Sequence, residues 1–244
     1  MKSKIRQITR QILPRNTRRW LVRQTRWPRV GRVNWHNLRN VEPISRSWGG
    51  DRGLPIDRYF IERFLGNNAE CVKGRVLEIG DNVYTLRFGG KKVTASEIFN
   101  GAEGNPKATY AGDLTHAPQV PSDRFDCIIC TQTLQLIPDL RAAVQTLHRI
   151  LKPGGKLLVS VPGISQLYND KEKCWLDYWR FTAFSANWLF QKYFPPENIY
   201  IESPGNVLLA TAFLNGLAAE ELRQEELEYN DPNYQLLILI RAIK

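Results

Sequence analysis

Four apolar stretches of this chain each end in side chains that accept hydrogen bonds. "VLEIGDN" ends with Glu78, Gly80, Asp81 and Asn82; "VTASE" ends with Glu97; "ATYAGDL" ends with Asp113 and Leu114; "FDCIICTQT" ends with Thr131, Gln132 and Thr133. Carboxylates in such places suit ribose hydroxyls and an adenine amino group as donors, and they repel phosphate. Glu97 follows Glu78 by nineteen residues, near the roughly 20-residue spacing at which an acid meets a ribose after a first strand–helix turn. A pyrophosphate would need G-x-G-x-x-G for close backbone approach, and only Gly80 of that pattern is present. The chemistry these residues suit is the holding of a nucleoside that carries no phosphate.

Elements that alternate strand and helix must position these ends. "RVLEIG", "KKVTASE", "ATYAGDL", "FDCIICTQ", "GGKLLVSVPG", "NIYIES" and "YQLLILIRAIK" read as seven strands. "NVYTLRF" reads as a short helix closed by Gly89-Gly90. "LRAAVQTLHRIL" is amphipathic, with Leu140, Ala143, Leu147 and Leu151 on one face. "SANWLFQKYF" and the long stretch "VLLATAFLNGLAAEELRQEEL" read as further helices, and Pro55 and Asp57 mark a turn into a helix over 57–65. This rhythm predicts a doubly wound, Rossmann-like α/β fold: a mostly parallel seven-stranded sheet with helices on both faces and a basic N-terminal arm. Such sheets bind ligands outside the carboxyl ends of their strands.

Charge divides the chain. Residues 1–40 hold twelve Lys or Arg and no acid, while the rest holds 22 basic and 24 acidic side chains. We therefore read 1–40 as an arm and 41–244 as the folded domain. The arm interleaves basic residues with Ile5, Ile8, Ile12, Trp20 and Trp27, a pattern suited to an anionic membrane surface and less to nucleic acid. No apolar segment after the basic start resembles a leader, and no run reaches the length of a membrane span; the expected location is cytoplasmic, peripheral at the inner membrane face. Cys127 and Cys130 in "CIIC" lie three apart on an expected buried strand, so they point to opposite faces and neither chelate nor bridge. No metal site is expected, and buried free thiols fit a reducing compartment.

From about Arg75 to Gly163 the ordered set "VLEIGD", Glu97, "AGDL", "RFDCIIC" and "LKPGGKLLVSVPG" resembles the class I S-adenosylmethionine-dependent methyltransferases. The flanking "WGGDRGLPIDRYFIERFL" and "DYWRFT" resemble a bacterial subgroup of that class often linked with glycan-related genes. The resemblance implies S-adenosylmethionine as cofactor. Gly80 and Asp81 would lie beside its methionine part, Glu97 on its ribose, and Asp113 with Leu114 around its adenine. The chain departs from the pattern where Asn82 and Tyr84 replace glycines; Asn tolerates a left-handed backbone best among such substitutes. It also carries Gln135 where related enzymes often carry histidine. In "DYWRFT", Asp177 is the candidate base, and Tyr178, Trp179 and Arg180, with Arg52 of "GGDRG", are the candidate substrate contacts. The expected reaction is O-methylation of a small or glycan-like acceptor. Two rivals stand beside it: a nicotinamide oxidoreductase, disfavoured by the missing glycines, and a non-catalytic binding protein recruited through its arm.

Overall fold

The computed structural model describes residues 39–101, 105–170 and 175–244, together with Pro14 and Thr17. The chain divides between Glu42 and Pro43, and every element below belongs to the second unit. The basic segment 1–40 and Cys174 lie almost wholly outside the described residues.

Among the described residues, nine strands and five α-helices follow in chain order. They are α1 (Ile56–Asn67), β1 (Gly74–Ile79), β2 (Val93–Asn100), β3 (Tyr110–Ala111), β4 (Phe125–Thr131), α2 (Leu140–Ile150), β5 (Leu151–Pro162), β6 (Asn169–Asp170), β7 (Trp175–Leu176), α3 (Ala183–Phe190), β8 (Ile199–Glu202), α4 (Val207–Leu214), α5 (Gln224–Glu228) and β9 (Leu237–Ile243). Seven strands make one sheet in the order β3-β2-β1-β4-β5-β9-β8, and β6 and β7 form a separate hairpin. The pairs among β1 to β5 are parallel, and β9 runs antiparallel to both β5 and β8. Strand order reverses between β1 and β4. That switch point opens a crevice at the carboxyl ends of the strands, where doubly wound sheets bind their ligands.

Two apolar layers cover the sheet. One joins Leu77, Phe99, Ile128 and Cys130 to Ala143, Val144 and Leu147 of α2 and Phe190 of α3. The other joins Val76, Cys127 and Ile129 to Phe60, Ile61 and Phe64 of α1 and Leu209 and Phe213 of α4. Cys127 and Cys130 thus face opposite layers, as strand alternation requires. Both are free thiols, and burial pushes both well up from the ordinary value. Asp139 caps α2 by accepting the Ala142 N–H at 3.0 Å. His148 stacks edge-on against Phe194 and is lowered by burial, which makes it a packing residue.

Two elements differ from expectation. The stretch read as one long helix breaks into α4, a 3-10 turn (Ala219–Glu221) and α5. Gly216 adopts φ +71°, and a Cβ there would lie 2.1 Å from the Ser45 carbonyl oxygen. The close approach of the chain at Ser45 demands glycine and ends the helix, which propensity alone does not reveal. The short helix after β1 continues as a π-helical turn, Thr85–Gly89, a form often found beside functional sites.

Candidate active site

The turn after β1 is built around one left-handed residue. Gly80 has φ +97°, and a Cβ there would meet nothing within 4 Å, so its backbone faces open space. Its N–H donates to the Phe99 carbonyl at 2.8 Å, and its own carbonyl accepts from Asn105 Nδ2 at 3.3 Å. Glu78, near the end of β1, is only 2% exposed. Its carboxylate accepts the backbone N–H groups of Tyr84 at 3.2 Å and Thr85 at 2.7 Å. It therefore holds the first helical turn in place. Burial pushes the Glu78 carboxyl up to about 7 despite those two donors, and the Asp81 side chain reinforces the rise. Asp81 accepts the Val83 N–H at 3.1 Å, as a residue opening a helix does. Asn82 is not left-handed: Gly80 is the positive-φ residue of this turn, and Asn82 Nδ2 donates to Ser96 Oγ at 3.1 Å. Tyr84 turns into the core, tilted against Phe88, and its hydroxyl accepts from Arg58 Nη1 at 3.1 Å.

Glu97 is corrected by its place in the sheet. It pairs with Leu77 in mid-strand, and β2 runs on to Asn100. Its carboxylate is bound by Arg75 and by Arg124, whose Nη2 lies at 2.9 Å. Burial pushes the Glu97 carboxyl up, but the hydrogen bonds from Arg124 and Arg75 outweigh this and hold it below the usual range. The strand's end is occupied by Asn100. Counting from the first turn found an acid but not the strand's last residue. At the next strand, Asp113 is exposed and accepts the Thr115 N–H at 2.8 Å, while Leu114 packs its side chain into the α2 layer. Thr131 ends β4 opposite Ser160, and the following Gln132 is left-handed at φ +48°.

A cavity of about 410 Å³ opens beside these ends, between α1 and the ends of β4 and β5. Its volume falls in the range of small-molecule sites. Trp48, Asp57, Arg58, Gln132, Gln135 and Tyr168 are among the lining residues. Trp48 and Tyr168 stack with centroids 5.9 Å apart and planes at 29°, giving the cavity an aromatic wall. Asp57 sits in the first turn of α1, buried, and accepts the Arg58 N–H at 2.8 Å. No side chain donates to it among the described residues. Burial raises its carboxyl, only partly opposed by the charge of Arg58. Gln135 is buried too; its Nε2 donates to Gln132 Oε1 at 3.2 Å, and its Oε1 has no hydrogen-bond partner among the described residues. A buried amide oxygen without a donor is costly unless something occupies the site. Sequence reading saw Asp57 only as a helix start and Gln135 only as a missing histidine.

The expected substrate residues are placed differently. Asp177 reaches the cavity wall, but its carboxylate is consumed. Arg180 Nη1 donates to it at 2.6 Å, Arg180 Nη2 at 2.8 Å and the Tyr168 N–H at 2.8 Å. Asp177 is thereby a staple for its own segment and not a free base. Arg180 gives its two Nη groups to the same staple and to the Trp179 and Gln166 carbonyls, while its buried Nε has no hydrogen-bond partner among the described residues. Tyr178 and Trp179 donate their backbone N–H groups to the Gln135 carbonyl and leave their rings largely exposed, away from the lining. Arg52 lies outside the cavity and forms a two-pronged pair with Glu221, whose carboxyl it holds down at about 2.

The residues present fit a nucleoside cofactor. Gly80 offers an open backbone turn, and acceptors stand at the ends of β2 and β3. Among the described residues no group of His, Cys, Asp or Glu is arranged to hold a metal ion.

Comparison with known proteins agrees with this class. A family profile described as "Methyltransferase domain" matches residues 58–200, and the chain belongs to this family, class I, whose cofactor is S-adenosylmethionine. A ubiquinone/menaquinone biosynthesis C-methyltransferase of Pectobacterium carotovorum subsp. carotovorum is 33% identical over 108 residues, 43% of this chain and 39% of that protein. The Proteus mirabilis protein of the same name is 33% identical over 97 residues, covering 40% and 34%. The chain thus spans under half the length of these relatives. Among solved structures, a SAM-dependent methyltransferase from Archaeoglobus fulgidus superposes with a TM-score of 0.51 at 12% identity, over 77% of this chain and 94% of that one. It shares the fold.

Proposed function

We propose that the protein transfers a methyl group from S-adenosylmethionine to a hydroxyl on a ring-shaped acceptor held in the cavity beside Asp57. The observation that carries this is the pairing, in one cavity, of an aromatic wall with two buried acceptors that lack side-chain donors, Asp57 and Gln135 Oε1. A ring bearing hydroxyls supplies a face for Trp48 and Tyr168 and donors for both oxygens. A small or glycan-like acceptor has this character.

The Gly80 turn, Asn100, Asp113 and the end of β4 would hold the cofactor. Bound there, it supplies a methyl group on a cationic sulfur. The chain's own residues then align the acceptor oxygen, exclude water and take its proton. Alignment supplies much of the rate in such a displacement. The Asp57 carboxylate would take the proton of the acceptor hydroxyl as that oxygen is methylated. Burial makes that carboxylate a stronger base than an exposed one. Asp57 takes over the part that the sequence suggested for Asp177.

Asp57→Asn keeps shape and removes the base. The expected result is S-adenosylmethionine affinity within about twofold of wild type by calorimetry, with turnover on a methylated-product screen reduced about 10²- to 10⁴-fold. Loss of cofactor affinity would assign Asp57 to the cofactor's amino group instead. A second reading, C-methylation, is favoured by the names of the relatives above; mass spectrometry and carbon NMR of the product separate the two.

A further inference from the structure

We infer that the face formed by α3 and the adjoining Tyr178–Trp179 segment docks the protein on an anionic lipid surface. Phe184 is 85% exposed and Trp188, four residues on along α3, is 56% exposed. Residues four apart share one helix face, so these two rings stand side by side in water. Tyr178 and Trp179 add two further exposed rings just before the helix. The two tryptophans are tied to the same short stretch of chain. Trp179 Nε1 donates to the Ile137 carbonyl at 2.9 Å, and the Arg141 guanidinium lies 5.4 Å from the Trp188 ring. The four rings therefore belong to one region of the surface.

Charge selects lipid as the occupant. Lys192 Nζ stands 4.0 Å from the centroid of the Trp188 ring, which the Arg141 guanidinium also approaches. A tryptophan with two cations close to its ring suits the lipid headgroup level, where the ring sits at the interface and the cations meet anionic headgroups. Two such faces from copies of this chain would bring like charges together. The twelve basic residues of 1–40 have the same preference by composition. The α3 face is nonetheless a separate element, since its rings and cations come from residues 141–192 of the folded domain. It borders the segment whose Asp177 forms part of the cavity wall. A lipid-borne acceptor would thus be presented next to the site.

The test is cosedimentation of the full-length protein with phosphatidylcholine vesicles containing 0 or 30 mol% phosphatidylglycerol, in 0.1 M and 0.5 M NaCl. Wild type should partition onto the anionic vesicles and keep a measurable fraction of that binding at 0.5 M NaCl, where attraction by charge alone is screened. Phe184→Ser/Trp188→Ser should lower partition at least tenfold at 0.5 M NaCl with an unchanged melting temperature. Lys192→Gln is the second variant, in case the double one misfolds, and should weaken binding severalfold at 0.1 M NaCl. The inference is overturned if wild type ignores anionic vesicles, or if the folded variants bind as wild type does. It is also overturned if sedimentation shows a self-association that the double variant abolishes, for the face would then be a protein interface.

Discussion

Replacing Glu78 by glutamine should remove a pH dependence from the stability of the fold. The carboxyl is buried and its value rises from 4.5 to about 7 in the folded chain, chiefly through desolvation. A carboxyl raised by folding binds its proton more tightly in the native state than in the unfolded one. Stability from this group is therefore full at low pH and is lost as pH rises from the unfolded value through the folded one. The shift corresponds to about 3 kcal/mol between pH 4 and pH 8, at ~1.4 kcal/mol per unit. Glutamine does not titrate, but it keeps one oxygen for the N–H groups of Tyr84 and Thr85 and loses the other. That costs about 1–3 kcal/mol at every pH. Urea unfolding of both proteins at pH 4, 5, 6, 7 and 8 gives the difference in stability, and contributions from other groups cancel in it. Wild type should lead by about 1–3 kcal/mol at pH 4, and a relative shift of about 3 kcal/mol should erase or reverse that lead by pH 8. A difference that stays flat across the range would show that Glu78 is an ordinary ionised cap and that its burial carries no electrostatic cost.

Two further changes test the fold and the corrected site. Gly216→Ala should lower stability by about 2–4 kcal/mol, measured by thermal unfolding, because it combines a left-handed backbone with a Cβ driven into the Ser45 carbonyl. Glu97→Gln should cost about 1–3 kcal/mol by leaving Arg75 and Arg124 without their carboxylate, while calorimetry finds S-adenosylmethionine affinity within about twofold of wild type; a tenfold loss of affinity with unchanged stability would restore Glu97 to the cofactor site.

The sheet was legible because its signal is local. Each strand is a short apolar run bounded by turn residues, and each places its ligand-facing groups where the run stops. Gly80 was found in this way. Where the run and the strand end at different residues, the reading slipped. "VTASE" stops being recognisable at Glu97, but "IFN" continues the strand to Asn100, so an acid that serves two arginines was taken for one at the rim. The cavity was hidden for another reason. Trp48, Asp57, Gln135 and Tyr168 are far apart in sequence and meet only through tertiary packing. Asp57 resembles any acid opening a helix, and nothing local says that the helix starts in a pocket. Asp177 and Arg180 read in sequence as a base and a substrate contact. Their spacing of three residues lets them pair with each other, which consumes the Asp177 carboxylate but leaves Arg180 Nε buried without a hydrogen-bond partner among the described residues.

The strand order has a consequence for synthesis. β8 pairs with no strand of the sheet except β9, and β9 is the bridge from β8 to β5. The ribosome makes β5 and β8 first, and until residues 237–243 emerge each presents an unpaired edge along its backbone. Unpaired edges recruit other chains, and pairing across such sequence separations is slow. The nascent chain therefore passes through a stage in which the β1–β4 half can assemble while the β5 border stays open. Chaperone binding or aggregation during translation should concentrate there, and synonymous changes that slow translation between β8 and β9 should lengthen the exposure.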